Sequence, residues 1–263
     1  MLGRYLRLFA IQLRASTLVA AQYRYDFIVE GIISLFYTVT ALVPLFVIFQ
    51  ARPTVAGWSF GQALLVVGWF TVLQGVLEGA VNPSLSRVVE HIRQGTLDFV
   101  LLKPADAQFM VSTSQFLPWR ITSLLTAVGV FGYGFHLLGS VPSLSALLAC
   151  TLLFASAVTI LYSLWIMIVS AAFVVVKVDN LTFLFSSIFD AARWPVSVFR
   201  GFLRVLFTFV IPLALMTTFP ARAMLGELDL SGLALPVIVA IVFFGMSRAV
   251  WLRALSRYTS ASS

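Results

Sequence analysis

Apolar residues in this chain form long runs that are broken by short polar segments. At about 20 residues per membrane crossing, these runs are long enough for helical spans and much longer than strands. They do not alternate with polar residues as a half-buried strand would. The pattern predicts an all-α, polytopic membrane protein with six transmembrane helices. The predicted spans are residues 27–49, 58–81, 109–138, 144–174, 181–194 (followed by a broken apolar stretch to 225) and 233–251.

Composition excludes the soluble classes. The chain has 263 residues, of which 60% are hydrophobic and 10% charged, whereas soluble domains are roughly 45–50% apolar and about 25% charged. The formal net charge is +7. Because no basic tract accompanies it, we expect no nucleic-acid partner. We attribute the excess of lysine and arginine to loops that face the cytoplasm.

The first 26 residues predict a helix in the membrane interface. Apolar side chains recur at helical spacing from Leu2 to Leu13, and Arg4, Arg7 and Arg14 cluster on another face. A helix of this kind lies along a bilayer with its apolar face in the lipid.

Lysine and arginine counts set the predicted orientation. With both termini in the cytoplasm, most of these residues lie on the inner side. The exception is the stretch 193–222, which carries several arginines on the predicted outer side.

The segment 195–225 predicts short re-entrant helices. Pro195, Gly201, Pro212 and Pro220 divide it into pieces too short to cross a bilayer alone. A competing interpretation makes 202–219 the fifth span and leaves 181–200 on the inside, which obeys the charge rule better.

The loop after the second span predicts a short amphipathic helix. Pro83 suits the first helical position with Asn82 as N-cap, and Gly95 suits the end. Leu85, Val88, Val89 and Ile92 form the apolar face, opposite Arg87, Glu90, His91 and Arg93. Such a helix can insert into a groove of a partner protein or lie flat on lipid without one, and the pattern alone leaves both open.

Two strings resemble a known family. Residues 92–104 read I-R-Q-G-T-L-D-F-V-L-L-K-P, which resembles the I-x-x-G-x-L-D-x-x-L-L-K-P signature of a bacterial branch of type-2 ABC transporter permeases. Residues 194–226 are similar to the segment after the fifth span in the same family. With six spans and the basic N-terminal helix, the resemblance covers essentially the whole chain.

The resemblance implies a transport subunit of the bacterial cytoplasmic membrane. It implies a single permease domain with an interfacial helix (1–26), two spans (27–82), a cytoplasmic coupling loop (83–106) and four further spans (107–263). Two permeases, identical or homologous, would assemble with two ABC ATP-binding subunits. The residues expected to meet or position the ATPase are Arg87, Glu90, His91, Arg93, Leu97, Asp98 and Lys103.

The energy source is expected on the partner chain. A P-loop needs a glycine before its lysine, and the chain's two lysines, Lys103 and Lys177, follow Leu102 and Val176. We therefore expect no enzyme activity, no cofactor on this chain, and ATP with magnesium on the partner ATPase. The two histidines and the single cysteine provide too few ligands for a zinc site, so no metal is expected either.

Ionisable groups within spans are functional candidates because they are costly in lipid. Gln74 and Glu78 share a helical face near the inner end of the second span. Asp190 and Arg193 have the spacing of a helical pair. We expect the Arg120 side chain to extend to the inner interface. A possible translocation path therefore includes Gln74, Glu78, Asp190 and Arg193. For Asp190 and Arg193 a purely structural pair is the favoured alternative, and for Glu78 an inter-helix hydrogen bond explains the residue as well as a role near the cytoplasmic mouth does.

The sequence favours an ABC exporter permease for an apolar or amphipathic substrate, because charges in the spans are sparse. The alternatives are a non-transporting membrane scaffold and a lipid-acting membrane enzyme. The enzyme would need acids or histidines clustered at one depth, and the sequence shows no such cluster.

Overall fold

The computed structural model describes residues 2–22, 24–173 and 179–258. Within them, five helices are long and apolar enough to span a membrane, and a bent helix pair is the sixth candidate. The prediction of an all-α polytopic membrane protein is confirmed. The five helical segments are Gly31–Ala51, Phe60–Gln94, Pro118–Leu138, Leu144–Phe173 and Leu230–Leu255.

The N-terminal residues are helical, as predicted. Helix α1 (Leu2–Gln22) lies along residues 104–116, with the ring centroids of Tyr5 and Phe109 4.8 Å apart. Its location in a membrane interface stays a prediction. Helix α2 (Arg24–Ala51) follows, and most of its described side chains are exposed.

A two-residue antiparallel hairpin, β1 (Thr54–Val55) and β2 (Trp58–Ser59), leads into helix α3 (Phe60–Val76). Ser59 and Gln62 form a reciprocal capping box, in which the Ser59 N–H donates to Gln62 Oε1 at 2.9 Å. Two amide groups left unpaired at the helix start are satisfied in this way.

The predicted break before the coupling helix is wrong. Helix α3 continues through a π-helical turn (Leu77–Val81) directly into α4 (Asn82–Gln94), and Asn82 has helical dihedral angles rather than those of an N-cap. Proline at position 83 removes the N–H that would bond to the carbonyl of Gly79. The N–H of Leu117 donates to that carbonyl instead, at 2.8 Å. The Gly79 carbonyl is therefore paired although Pro83 has no N–H.

The third span begins later than predicted. After α5 (Asp98–Leu101) and α6 (Ala107–Ser112), residues 113–117 are not helical, and a 3₁₀ turn (Pro118–Arg120) leads into α7 (Ile121–Leu138). A residue before proline is disfavoured in the helical region, and Leu117 has φ −111° and ψ 88°.

Helix α7 packs closely against α3 through glycines. A Cβ on Gly75 would lie 2.9 Å from the Ser123 Cβ, and one on Gly134 would lie 3.2 Å from the Gly61 carbonyl oxygen. Gly129 and Gly132 take no part in this contact, because no described atom lies within 4 Å of a Cβ at either. Both face outward on α7.

Helix α8 (Leu144–Ser170), extended by a 3₁₀ turn (Ala171–Phe173), packs against the last helix, α12 (Leu230–Leu255). Trp165 of α8 and Trp251 of α12 are completely buried and belong to the main core.

The predicted fifth span is not one regular helix. Helix α9 (Asp179–Phe189) is followed by a 3₁₀ turn (Asp190–Arg193), Pro195 and a second 3₁₀ turn (Val196–Val198). In the part of the chain that the structure describes, these pieces are too short to count as a spanning helix.

The next segment is a bent pair of short helices. Helix α10 (Phe202–Val205) extends through a π-helical turn (Leu206–Val210), and α11 (Leu213–Met224) departs from it at 84°. The chain just before the pair and the last turn of its second helix both reach Trp58. The Trp58 indole N–H donates to Ser197 Oγ at 3.0 Å, and its ring lies 5.9 Å from the Arg222 guanidinium carbon. That return favours the re-entrant interpretation over a crossing, although the choice stays a prediction.

We predict that Gly75→Val lowers the melting temperature of the purified protein, because the new Cβ would overlap the Ser123 Cβ, which cannot move without its backbone. Overpacking of this kind costs roughly 1–3 kcal/mol, and a thermal melt in detergent measures the loss. Gly132→Val is the matched control, since a Cβ at position 132 would meet no described atom within 4 Å. Equal shifts for the two variants would contradict the close α3–α7 contact.

Candidate functional site

Helix α4 presents the predicted charged face. Leu85, Val88 and Val89 are buried, whereas Arg87, Glu90 and Arg93 are exposed, so the amphipathic prediction is confirmed. Gly95 ends the helix with φ +66°, the left-handed conformation that glycine adopts without strain.

His91 contributes to the turn after α4. Its Nδ1 lies 2.7 Å from Thr96 Oγ1, and its carbonyl accepts the N–H of Thr96 at 2.9 Å. The imidazole is half-buried. The structure thus assigns His91 a local contact that the expected ATPase-facing role did not include.

The signature residues after α4 occupy different environments. Leu97 is fully buried, and its carbonyl accepts the N–H of Val100 at 2.8 Å, which builds the turn into α5. Asp98 is half-buried and Lys103 is exposed. Burial, and in addition the negative charge of Asp98, raises the pKa of the Tyr258 hydroxyl, so α5 lies near the end of α12.

Two apolar side chains on this surface were missed by the sequence reasoning. Phe99 is 70% exposed and Leu102 is 80% exposed. They lie in a loop that also carries the exposed Lys103, and large apolar side chains exposed together are typical of binding surfaces. We call the exposed Arg87, Glu90, Arg93, Phe99, Leu102 and Lys103 the docking surface.

A cleft of about 640 Å³ brings together all four residues of the predicted translocation path. It lies between α2, α3, the start of α7 and the 3₁₀ turn at 190–193. Gln74, Glu78, Asp190 and Arg193 line it, together with Arg120 and several hydroxyl and apolar side chains.

The charges in this cleft form two ion pairs. Gln74 Nε2 donates to Glu78 Oε1 at 3.2 Å, and Glu78 Oε2 lies 2.7 Å from Arg120 Nη1. The Arg120 guanidinium turns to Glu78 across the helix contact. Its expected position at the inner interface stays a prediction. A charge at membrane depth is stabilised far better by an opposite charge than by lipid.

The second pair forms within one turn. Arg193 Nη2 lies 2.9 Å from Asp190 Oδ1, as the spacing predicted, and the guanidinium carbon lies 5.2 Å from the Phe70 ring centroid. Phe70 and Glu78 are eight residues apart on a helical path, so the two pairs are separated by about 12 Å along it.

A polar cluster at the far side of the coupling loop was not predicted. Arg248 of α12 forms a bidentate contact with Asp106, at 2.6 Å to Oδ2 and 3.2 Å to Oδ1, and donates to Gln108 Oε1 at 2.9 Å. Gln108 Nε2 donates to the Tyr162 hydroxyl of α8 at 3.1 Å. Asp106 also caps α6 by accepting the N–H of Phe109. These contacts hold the end of the coupling loop against α8 and α12.

The environment of Asp106 favours its charged form. Burial raises the pKa of this carboxyl, but the hydrogen bonds from Arg248 and the Phe109 N–H and the positive charge of Arg248 together hold the pKa below its ordinary value of 3.8. The ion pair is therefore complete at neutral pH.

The remaining described ligand-type side chains lie apart from the cleft and the coupling loop, or have local contacts. Among the described residues, no group of three or more His, Cys, Asp or Glu side chains could hold a metal ion. Cys150 is buried in α8, with its thiol 3.6 Å from the carbonyl oxygen of Pro220.

A comparison with protein families decides the class. The model of the ABC-2 family transporter proteins matches residues 35–262, which include the coupling loop, the cleft and the bent helix pair. The chain belongs to this family. No curated protein and no solved structure matches it.

Membership makes the chain a membrane-embedded permease of ABC transport. An ABC-2 permease is a transport subunit and is not itself catalytic, and the family implies partnership with an ATP-binding subunit. The predicted resemblance and the predicted permease role are confirmed at this level.

We predict that the stability of the permease decreases below about pH 4 partly through Asp106. A carboxyl with a lowered folded-state pKa contributes stability above its unfolded value, and the contribution is lost as the pH falls through the folded value. Melting temperatures of wild type and Asp106→Asn, compared between pH 7 and pH 3, should converge in acid. Glu90→Gln, which removes an exposed carboxylate, should stay parallel to wild type. A constant gap between wild type and Asp106→Asn would contradict the assignment.

We predict a favourable coupling between Glu78 and Arg120. Arg120→Met should destabilise the permease because Glu78 loses its ionic partner, and adding Glu78→Gln should restore part of the loss. Because both side chains are less than one-third exposed, we expect a coupling of about 1 kcal/mol, near the upper end for partly solvated pairs. A double-mutant cycle by thermal or denaturant unfolding measures it. Strict additivity would show that the pair contributes nothing.

Proposed function

We propose that this chain is the permease subunit of an ABC exporter of the bacterial cytoplasmic membrane, with both termini in the cytoplasm. A separate subunit binds ATP and magnesium. ATP-driven closure of that subunit moves α4, and the movement reaches the cleft through the same helix.

One observation carries the proposal. A single continuous helix, Phe60–Gln94, bears cleft residues in its first part and docking residues in its last part. Glu78 and Arg87 are nine residues apart, or about 14 Å along the helix. We propose that a displacement of α4 passes through the π-helical turn to Glu78, which would be a direct mechanical route from a partner to the cleft.

The docking surface has the composition of a protein contact. It combines charged residues of both signs with the exposed Phe99 and Leu102. Arginine and aromatic residues are enriched at protein interfaces. We propose that Arg87, Glu90, Arg93, Leu97, Asp98 and Lys103 meet the ATP-binding subunit or shape the loop that does, with His91 fixing the turn.

The cleft suits an amphipathic substrate. Its acids and bases are paired within the chain, so its net charge is near zero, and apolar and hydroxyl side chains line the rest. We propose that Gln74, Glu78, Asp190 and Arg193 lie along the substrate path. A second permease copy, identical or homologous, would close the open side of the cleft along α2.

The first experiment is a pull-down of the tagged chain from native membranes in mild detergent, with an ATPase assay of the eluate. We expect a stoichiometric ATPase with the wild type and a loss of about tenfold or more with Arg93→Glu, because a reversed charge within a docking surface costs over 1 kcal/mol. Leu102→Asp should act in the same direction.

Arg52→Glu is the matched control, because it makes the same charge reversal on an exposed residue near the opposite end of α3. It should retain the ATPase. If no ATPase accompanies the wild type, the exporter proposal fails and the scaffold or enzyme alternatives stand. Equal loss with Arg52→Glu would show a global defect and would remove the docking assignment.

A further inference from the structure

A second pocket lies beside Trp58, at the opposite end of α3 from the docking surface. It has a volume of about 350 Å³ and is bounded by the chain before the bent helix pair and by both helices of that pair. We call it the outer pocket. Its lining includes Trp58, Ser197, Arg204, Thr208, Phe209 and Arg222.

The pocket carries positive charge that the described part of the chain does not neutralise. The guanidinium of Arg204 has neither a hydrogen-bond nor an acidic partner among the residues that the structure describes. Arg222 lies over the Trp58 ring and forms an ion pair with Glu227, with 3.9 Å between Arg222 Nε and Glu227 Oε2. The two arginines and this one carboxylate therefore leave a net positive charge at the pocket.

The hydroxyl groups in the pocket have partners already. Ser197 accepts from Trp58 and donates to the carbonyl of Ala56, Thr208 donates to the carbonyl of Arg204, and Thr218 accepts from the Val196 N–H. The donors left for a ligand are the guanidinium N–H groups and the Thr218 hydroxyl, which only accepts in the described contacts. Guanidinium groups recognise phosphate and carboxylate with paired, charge-assisted hydrogen bonds.

The remaining wall is apolar and largely exposed. Val205 and Phe209 are more than half exposed on the first helix of the bent pair, and Phe219 lines the second. An anionic group alone would leave this wall uncovered, whereas an amphiphile would place its head group at the arginines and its chain along the apolar side chains.

We infer that the outer pocket binds the head group of an anionic phospholipid. In the predicted orientation this pocket is on the outer side, where lysine and arginine are normally depleted. A bound lipid phosphate would compensate the two arginines and hold the bent pair against Trp58. The inference does not require the chain to be an exporter and is tested on the chain alone.

The test is native mass spectrometry of the purified full-length chain from detergent micelles doped with phosphatidylglycerol or, separately, phosphatidylcholine. We expect retained phosphatidylglycerol on the wild type and about tenfold less on the Arg204→Gln/Arg222→Gln double variant, as for the loss of one or two charge-assisted contacts. Phosphatidylcholine, with no net charge, should be retained less than phosphatidylglycerol.

Arg200→Gln is the matched control, because Arg200 is exposed on the same stretch but does not line the pocket. It should bind as the wild type does, and all variants should keep the wild-type melting temperature within about 2 °C, so that altered binding is not a folding defect. Equal phosphatidylglycerol retention in wild type, control and double variant would overturn the inference. Displacement of the lipid by millimolar inorganic phosphate would overturn its lipid part, because the site would then recognise the anion alone.

Discussion

The hydrogen bond from the Leu117 N–H to the Gly79 carbonyl is the contact on which the arrangement of the functional regions depends. In a membrane, a backbone carbonyl without a donor costs several kcal/mol, and Pro83 takes away the donor that Gly79 would normally have. Because the loop after α6 supplies a replacement, the helix from Phe60 to Gln94 continues without a break. The same bond holds residues 113–120 against α3, which places Arg120 beside Glu78. The Leu117 N–H thus replaces the missing Pro83 donor, and this one hydrogen bond connects the proposed docking surface, the cleft and the start of α7.

Features that depend on local pattern could be predicted from the sequence. The apolar face of α4, its end at Gly95 and the pairing of Asp190 with Arg193 all follow from helical spacing. The start of α4 could not be predicted, because Asn82 and Pro83 have the residue types of a helix start, and only the distant Leu117 shows why the helix does not begin there. Which glycines lie in a close helix contact could not be predicted either. Gly132 and Gly75 look alike in an apolar run, and only the partner helix distinguishes the exposed one from the one in close contact.

The candidate site shows the same division. Helical spacing places Gln74 and Glu78 on one face. Asp190 and Arg193 are candidates because charged groups are costly in lipid. That all four residues line one cleft depends on tertiary packing, which the sequence pattern does not contain. The polar cluster at Asp106 was missed because its partners are 142 residues apart and neither belongs to a recognisable motif. The signal that could have pointed to it was Arg248, a single arginine within the last apolar run. A charge in that position needs a partner, and Asp106 is an acid at the cytoplasmic edge of the predicted coupling loop.

The separation of Asp106 and Arg248 also bears on the order in which the protein is made. At about 5–20 residues per second, a ribosome takes roughly 7 to 28 seconds to add the 142 residues between them. During that time the coupling loop has been synthesised, but its anchor on α12 does not exist. The ion pair, and with it the attachment of this end of the loop to α12, can form only after Arg248 has been synthesised.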